Sequence, residues 1–255
     1  MKPLIMGILN TTPDSFFDGG KYDSLNAALS RAEEILAQGG DIIDVGGQST
    51  RPGAAQITEE EETLRTTPVI KAIKENFKNA LISVDTFNCD TAIKALQNGA
   101  TIINDVSGLA DIRLAQAAAQ YNAKLVIMHM RGTPQGRQTQ SDYKDILKEV
   151  KDFFEQKTAL AIEAGLPKEN IILDPGLGFA KTREQNWFLL ENLPYFNALN
   201  MPLLIGASRK SFTDKTLELS LKAAEFAFKA NAAILRVHDV KETKNFLEGL
   251  SYEQK

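Results

Sequence analysis

Seven polar side chains stand at or near the ends of short apolar runs in this 255-residue chain: Asn10, Asp85, Asn104, His129, Asp174, Ser208 and His238. Carboxylates and carboxamides there could anchor a polar ligand, because one is a double acceptor and the other both donates and accepts. Two cations lie close by in sequence, Lys210 after Ser208 and Arg236 before His238. With Val237 between them pointing the other way, Arg236 and His238 share one side of an extended segment. A planar, weakly hydrated guanidinium suits stacking and anion contacts. The two histidines, His129 and His238, lack the close helical spacing of a zinc pair, and Cys89 is the only cysteine. A transition-metal centre is therefore not expected. His129 reads as a histidine packed in the interior.

Residues so far apart need a scaffold that gathers them. The apolar runs cover 4–10, 41–47, 81–87, 101–107, 124–130, 171–178, 202–208 and 233–239. They are continuously apolar, as in Leu125-Val126-Ile127 and Leu203-Leu204-Ile205, which is how parallel strands covered by helices read. Between them lie helical faces. Leu25, Leu29, Ala32, Ile35 and Leu36 form one, stopped by Gly39 and Gly40; Ile146, Leu147, Val150, Phe153 and Phe154 form another, and Phe246, Leu247 and Leu250 a third. Leu217, Leu221, Ala224 and Phe228 give a stripe expected to face inward, with Leu219 and Phe226 left outside it. Strand and helix alternating eight times predicts a single (β/α)8 TIM barrel over 1–255, a fold that takes about 250 residues. Its active site would lie at the C-terminal ends of the strands. Two connections on that face, 10–22 and 46–56, are rich in Gly, Pro and hydroxyl residues and read as mobile lids.

Composition narrows the function classes. The net charge of −4, with both signs interspersed, gives no basic footprint for nucleic acid. No apolar run is long enough for a membrane span, and residues 3–9 read as a first strand rather than a signal peptide. One cysteine allows no intrachain disulfide and fits a reducing cytoplasm. The acidic run 59–62 reads as the solvated first turn of a helix, where carboxylates suit the dipole.

The motifs GILNTTPDSFFDGG (7–20), DVGGQSTRPGA (44–54), SVDT (83–86), INDVSGL (103–109), MHMRGTP (128–134), LDPGLGFAKT (173–182), GASRKSF (206–212) and RVHDV (236–240) recur in one order along the chain. In that order they resemble the dihydropteroate synthase family, and they span nearly the whole sequence. The resemblance implies condensation of a dihydropterin methyl diphosphate with 4-aminobenzoate, assisted by Mg²⁺, with small molecules as partners.

It also implies roles. Asp174 and Asn104 would hold the pterin edge, with Met128 beside them, and Asp85 would stabilise positive charge as diphosphate departs. Lys210 would meet the ring oxygen and nitrogen, and Arg236 the ring face. Asn10, Thr50, Arg51, Arg236 and His238 would hold the diphosphate, and Thr50 and Arg51 count with Asp85 and Lys210 among the catalytic groups. Pro52, Phe179 and Ser211 would form the arylamine site, Ser211 just before a helix whose free N–H groups suit a carboxylate. Asn10 is the one protein ligand expected for Mg²⁺, a cation that prefers oxygen and often arrives with phosphates.

Gln48 stands where the family usually has Glu, Phe17 where a small polar residue is common, and the stretch 211–236 is shorter than usual. A homodimer is expected through the late helices, with Leu219 and Phe226 in the contact. Two other readings share the barrel: a folate-dependent methyltransferase, and a pterin-binding paralogue without catalysis. Thr50-Arg51, Lys210 and the Arg236/His238 pair favour the synthase.

Overall fold

A computed structural model describes residues 2–11, 20–48, 57–132 and 141–253. Strands and helices alternate as β1 (Leu4–Asn10), α1 (Gly20–Ala37), β2 (Ile42–Gly46), α2 (Glu59–Asn76), β3 (Leu81–Asp85), α3 (Cys89–Gln97), β4 (Ile102–Asp105) and α4 (Arg113–Gln120). They continue as β5 (Lys124–Met128), α5 (Ile146–Glu163), β6 (Ile171–Asp174), α6 (Arg183–Glu191), β7 (Leu204–Ile205), α7 (Leu217–Lys229), β8 (Ile234–Val237) and α8 (Val240–Glu253). All the pairings are parallel, in the order β6-β5-β4-β3-β2-β1-β8-β7. A single bridge between Leu173 and Leu203 brings the two ends together, so the barrel is nearly closed. β1 fills its apolar run, and each later strand is shorter than its own.

The period of two along a strand sorts the interior into layers. Met6, Ile42, Ile102, Val126, Ile172, Leu204 and Ile234 pack together as an apolar floor. Two residues further along the same strands come Ile8, Asp44, Asn104, Met128, Asp174, Gly206 and Arg236. The floor is thus apolar, and the layer above it carries Asp44, Asn104, Asp174 and Arg236. The alternate residues, among them Ile5, Ile43, Val84, Ile103, Ile127 and Leu235, point outward into the larger core beneath the helices.

The α1, α5 and α8 faces pack as their spacing predicts, with Ala32, Ile35, Val150, Phe154 and Leu247 buried. In α7 the expected phase is wrong. The buried residues are Ser220, Ala223, Ala224 and Ala227, while Leu217 is 41% exposed. The inward residues of this helix are small, and its large ones are displaced to the flanks. Phe226 is one of these: it packs part-buried against Trp187 of α6, ring centroids 6.3 Å apart, rather than standing on the outer face, and Leu219 is half-buried.

The acidic run also needs correcting. It does open α2, with Thr58 as the N-cap accepting from Glu61 N–H at 3.1 Å. Glu62, however, is buried. Its carboxylate accepts from Thr86 Oγ1 at 2.8 Å and Asn88 Nδ2 at 2.7 Å, tying α2 to the segment that follows Asp85. Burial pushes Glu62 above the usual carboxylate range despite those bonds.

Candidate active site

The polar layer is organised around Arg236 on β8. Its Nε donates to Asp44 Oδ2 at 2.7 Å, and a terminal nitrogen donates to Asp85 Oδ2 at 2.6 Å. Asn104 Nδ2 reaches the same Asp44 oxygen at 3.2 Å. The barrel stagger explains the grouping. Asp44 and Arg236 both flank β1, in register with Ile8 and Met6, and Asp85 pairs with Gly46 on one side and Asn104 on the other. Burial works against the Arg236 charge, but the carboxylates of Asp44, Asp85 and Asp174 outweigh it and hold the guanidinium above its ordinary range.

Asp44 was not singled out by the sequence reading. The signal was available, since it lies two residues beyond the floor residue Ile42, as Asp174 does beyond Ile172. It sits inside its apolar run rather than at the end, which hid it.

Across the barrel, Asp174 ends β6 and is 5% exposed. Burial pushes its carboxyl upward, opposed by Lys210, the Gly176 N–H, Lys181 and Arg236. The Gly176 N–H donates to Asp174 Oδ1 at 2.7 Å. Only glycine fits at 176: its φ is +66°, and a Cβ would lie 2.0 Å from the His129 carbonyl oxygen. Lys210 extends over the following loop, where Nζ bonds the Leu177 carbonyl and lies 4.5 Å from the Phe179 ring centroid. Phe179, Met128, Met130 and Val106 form a separate apolar cluster. An apolar wall thus adjoins the charged layer.

His238 and Ser208 meet at the ends of β8 and β7. Ser208 Oγ lies 3.1 Å from both the backbone nitrogen and Nδ1 of His238. Asn10 ends β1; a Cβ on Gly46 would lie 3.8 Å from its side-chain oxygen and 3.7 Å from Asp85 Oδ2, so both oxygens face the same side of that glycine. Two oxygen groups beside a glycine suit a hard cation delivered with phosphates. Among the described residues no cluster of three His, Cys, Asp or Glu could hold a metal by itself.

His129 is packed as expected, 2% exposed with its ring edge-on to Phe153 at 4.9 Å. It also has a partner that the sequence reading missed. Lys181 Nζ lies 3.0 Å from His129 Nδ1 and donates to the carbonyls of Gly176 and Phe179, also at 3.0 Å. Burial first, then the charges of Lys181 and Arg131, push the imidazole down to about 2. Burial pushes Lys181 down to about 7, with Asp174 opposing. A lysine in a glycine-bearing loop was the available signal.

Ser211 does not open an α-helix. It begins a short 3-10 turn, Ser211–Thr213, and is exposed; α7 starts at Leu217, capped by the side chain of Thr216. The chain first needs a left-handed turn at Asp214 and Lys215 before the helix can begin. Thr50, Arg51 and Pro52 lie outside the described residues, as do most of the two expected lids.

The sequence matches the model of the family described as pterin binding enzyme over residues 6–238. It is 45% identical over 246 residues to the dihydropteroate synthase of Synechocystis, covering 92% of this chain and 85% of that one. The fold is similar to that of a dihydropteroate synthase from Clostridium difficile, whose structure was solved in the presence of pteroic acid. There the TM-score is 0.92 at 39% identity, covering 99% of this chain and 97% of the other. It is likewise similar to the Xanthomonas albilineans dihydropteroate synthase with 4-aminobenzoic acid, with a TM-score of 0.91 at 36% identity, covering 99% and 93%. A match of this extent, in sequence and in fold alike, assigns the family: this chain belongs to the dihydropteroate synthases, within the pterin-binding enzymes.

Proposed function

We propose that this chain condenses (7,8-dihydropterin-6-yl)methyl diphosphate with 4-aminobenzoate, giving 7,8-dihydropteroate and diphosphate. The observation that carries this reading is the clustering of Asp44, Asp85, Asn104, Asp174 and Arg236 above an apolar floor. A flat heterocycle with a donor edge needs acceptors at its rim and an apolar base, and this layer supplies both.

In this reading Asp174 accepts two N–H bonds from the pterin edge, Asn104 meets the remaining ring nitrogens, and Met128 lines the ring. The bond from the pterin methylene to the diphosphate oxygen breaks, and the arylamine nitrogen bonds to that carbon and gives up a proton. Asp85 faces the positive charge that grows on the ring as the diphosphate leaves, a fixed countercharge of the kind that lowers such barriers. Lys210 polarises the pterin, while Arg236 and His238 receive the departing phosphates with Thr50 and Arg51. Phe179, Pro52 and Ser211 line the arylamine side. Mg²⁺, bound through Asn10 and the diphosphate, would neutralise charge on the leaving group.

A cytoplasmic location and a homodimer belong to the same proposal. No helix among the described residues is long and apolar enough to cross a membrane. For the dimer, Phe188 on α6 and Leu217 on α7 are 45% and 41% exposed, and they replace Phe226 as the apolar residues open to a second copy. Purified protein supplied with the pterin diphosphate, 4-aminobenzoate and Mg²⁺ should release dihydropteroate. Pterin binding without turnover would overturn the catalytic reading.

A further inference from the structure

The segment between β6 and α6 is gripped from two sides by two lysines. Lys210 holds the Leu177 carbonyl and lies over the Phe179 ring. Lys181 holds the carbonyls of Gly176 and Phe179 and the imidazole of His129. We propose that Lys181 is a positioning residue that pins this loop to His129 and keeps Phe179 in place as a wall of the arylamine subsite when the pterin engages Lys210. The inference rests on the reading of Phe179 as part of that subsite.

The geometry gives the two lysines different duties. An ammonium has three donors, and Lys181 has three acceptors at 3.0 Å, so its hydrogen bonding is complete within the loop. Its anchor is rigid. The His129 N–H donates to the Asp174 carbonyl at 2.7 Å, its ring packs edge-on against Phe153, and its own carbonyl allows no side chain at Gly176. Lys210 reaches the same loop from β7, beside Arg236 and Gly206. A pterin drawn to Lys210 competes with the Leu177 carbonyl for its protons, whereas the three bonds of Lys181 all run to the loop and to His129. The pterin takes one lysine from the loop, and the other holds the wall that the arylamine then meets.

The charges facing Lys181 are Asp174, Lys210 and Arg131, with the Tyr143 ring 6.0 Å from the imidazole. Because the imidazole is pushed far below the lysine, their shared proton sits on Lys181, and His129 is the neutral acceptor.

Steady-state kinetics of Lys181→Met should show KM for 4-aminobenzoate raised about tenfold, since the variant removes a charged donor and all three of its hydrogen bonds. The Kd for the pterin diphosphate should move by less than about threefold on the same reasoning. Phe179→Ala is the control. If it raises the arylamine KM and Lys181→Met does not, Lys181 has no positioning role. If Phe179→Ala itself leaves that KM unchanged, the loop is not an arylamine wall, and both the reading and the proposal fall. Should Lys181→Met not fold, the His129→Gln and His129→Leu pair serves instead. Gln retains an acceptor for Lys181 and should keep KM near the parent value, and Leu should raise it; equal KM values in the two variants would overturn the proposal.

Discussion

The two halves of the site are built by different means. On the side of β2, β3, β4 and β8, charge meets charge: Arg236 joins Asp44 to Asp85, and Asn104 closes the set. On the side of β5, β6 and β7, two lysines meet mainly backbone carbonyls and an imidazole, and the carboxylate of Asp174 accepts from a backbone N–H at one oxygen. The first half is fixed by strand register, so it is rigid and costly to break. The second is fixed by a loop, so it can yield to a ligand at less cost. A site that must hold one substrate while a second arrives uses both kinds of support.

Removing the hub of the first half should have the largest effect. Arg236→Met leaves two buried carboxylates without their countercharge, and breaking a buried pair in this way costs about 3–5 kcal/mol. Urea unfolding should show the loss; stability within about 1 kcal/mol of the parent would mean that the two halves are equally tolerant.

Asp174→Asn probes the second half with less damage to the fold. It replaces an acceptor by a donor facing a donor, and charged hydrogen bonds are worth about 1.5–3 kcal/mol, so pterin affinity should drop tenfold or more by titration calorimetry. An unchanged Kd in the folded variant would place the pterin elsewhere.

The same carboxyl gives a pH dependence. Burial raises its proton affinity, so as pH falls it protonates before an ordinary aspartate would and loses one of its acceptor sites. Pterin affinity should therefore weaken on the acid side, beginning above the usual aspartate range, and the Asp174→Asn variant should lack that limb. Acid weakening of equal size in both would show that the Asp174 carboxyl does not carry it.

The smallest effect should come from outside both halves. Thr216 caps α7 by accepting from Leu219 N–H at 3.3 Å. Thr216→Ala should cost about 1 kcal/mol of stability in a thermal melt, with both substrate KM values unchanged. A change in either KM would show that the site extends into α7.

The strands, their order along the chain and the residues at their ends were legible in the sequence, because an extended backbone alternates its side chains whatever surrounds it. Asp174, Asn104 and Arg236 fall in phase with the floor residues Ile172, Ile102 and Ile234 by that rule alone. The α1, α5 and α8 faces were legible for the same kind of reason, their large apolar residues recurring at helical spacing. What pairs with what was not. Arg236 meets Asp44 across 192 residues only because both strands flank β1 at the stagger of this barrel. The roll of α7, the burial of Glu62 and the seat of Lys181 against His129 depend on how closely neighbouring elements approach. Periodicity is written into the local backbone, whereas partners, burial and the charge each group carries are decided when the barrel closes and water leaves.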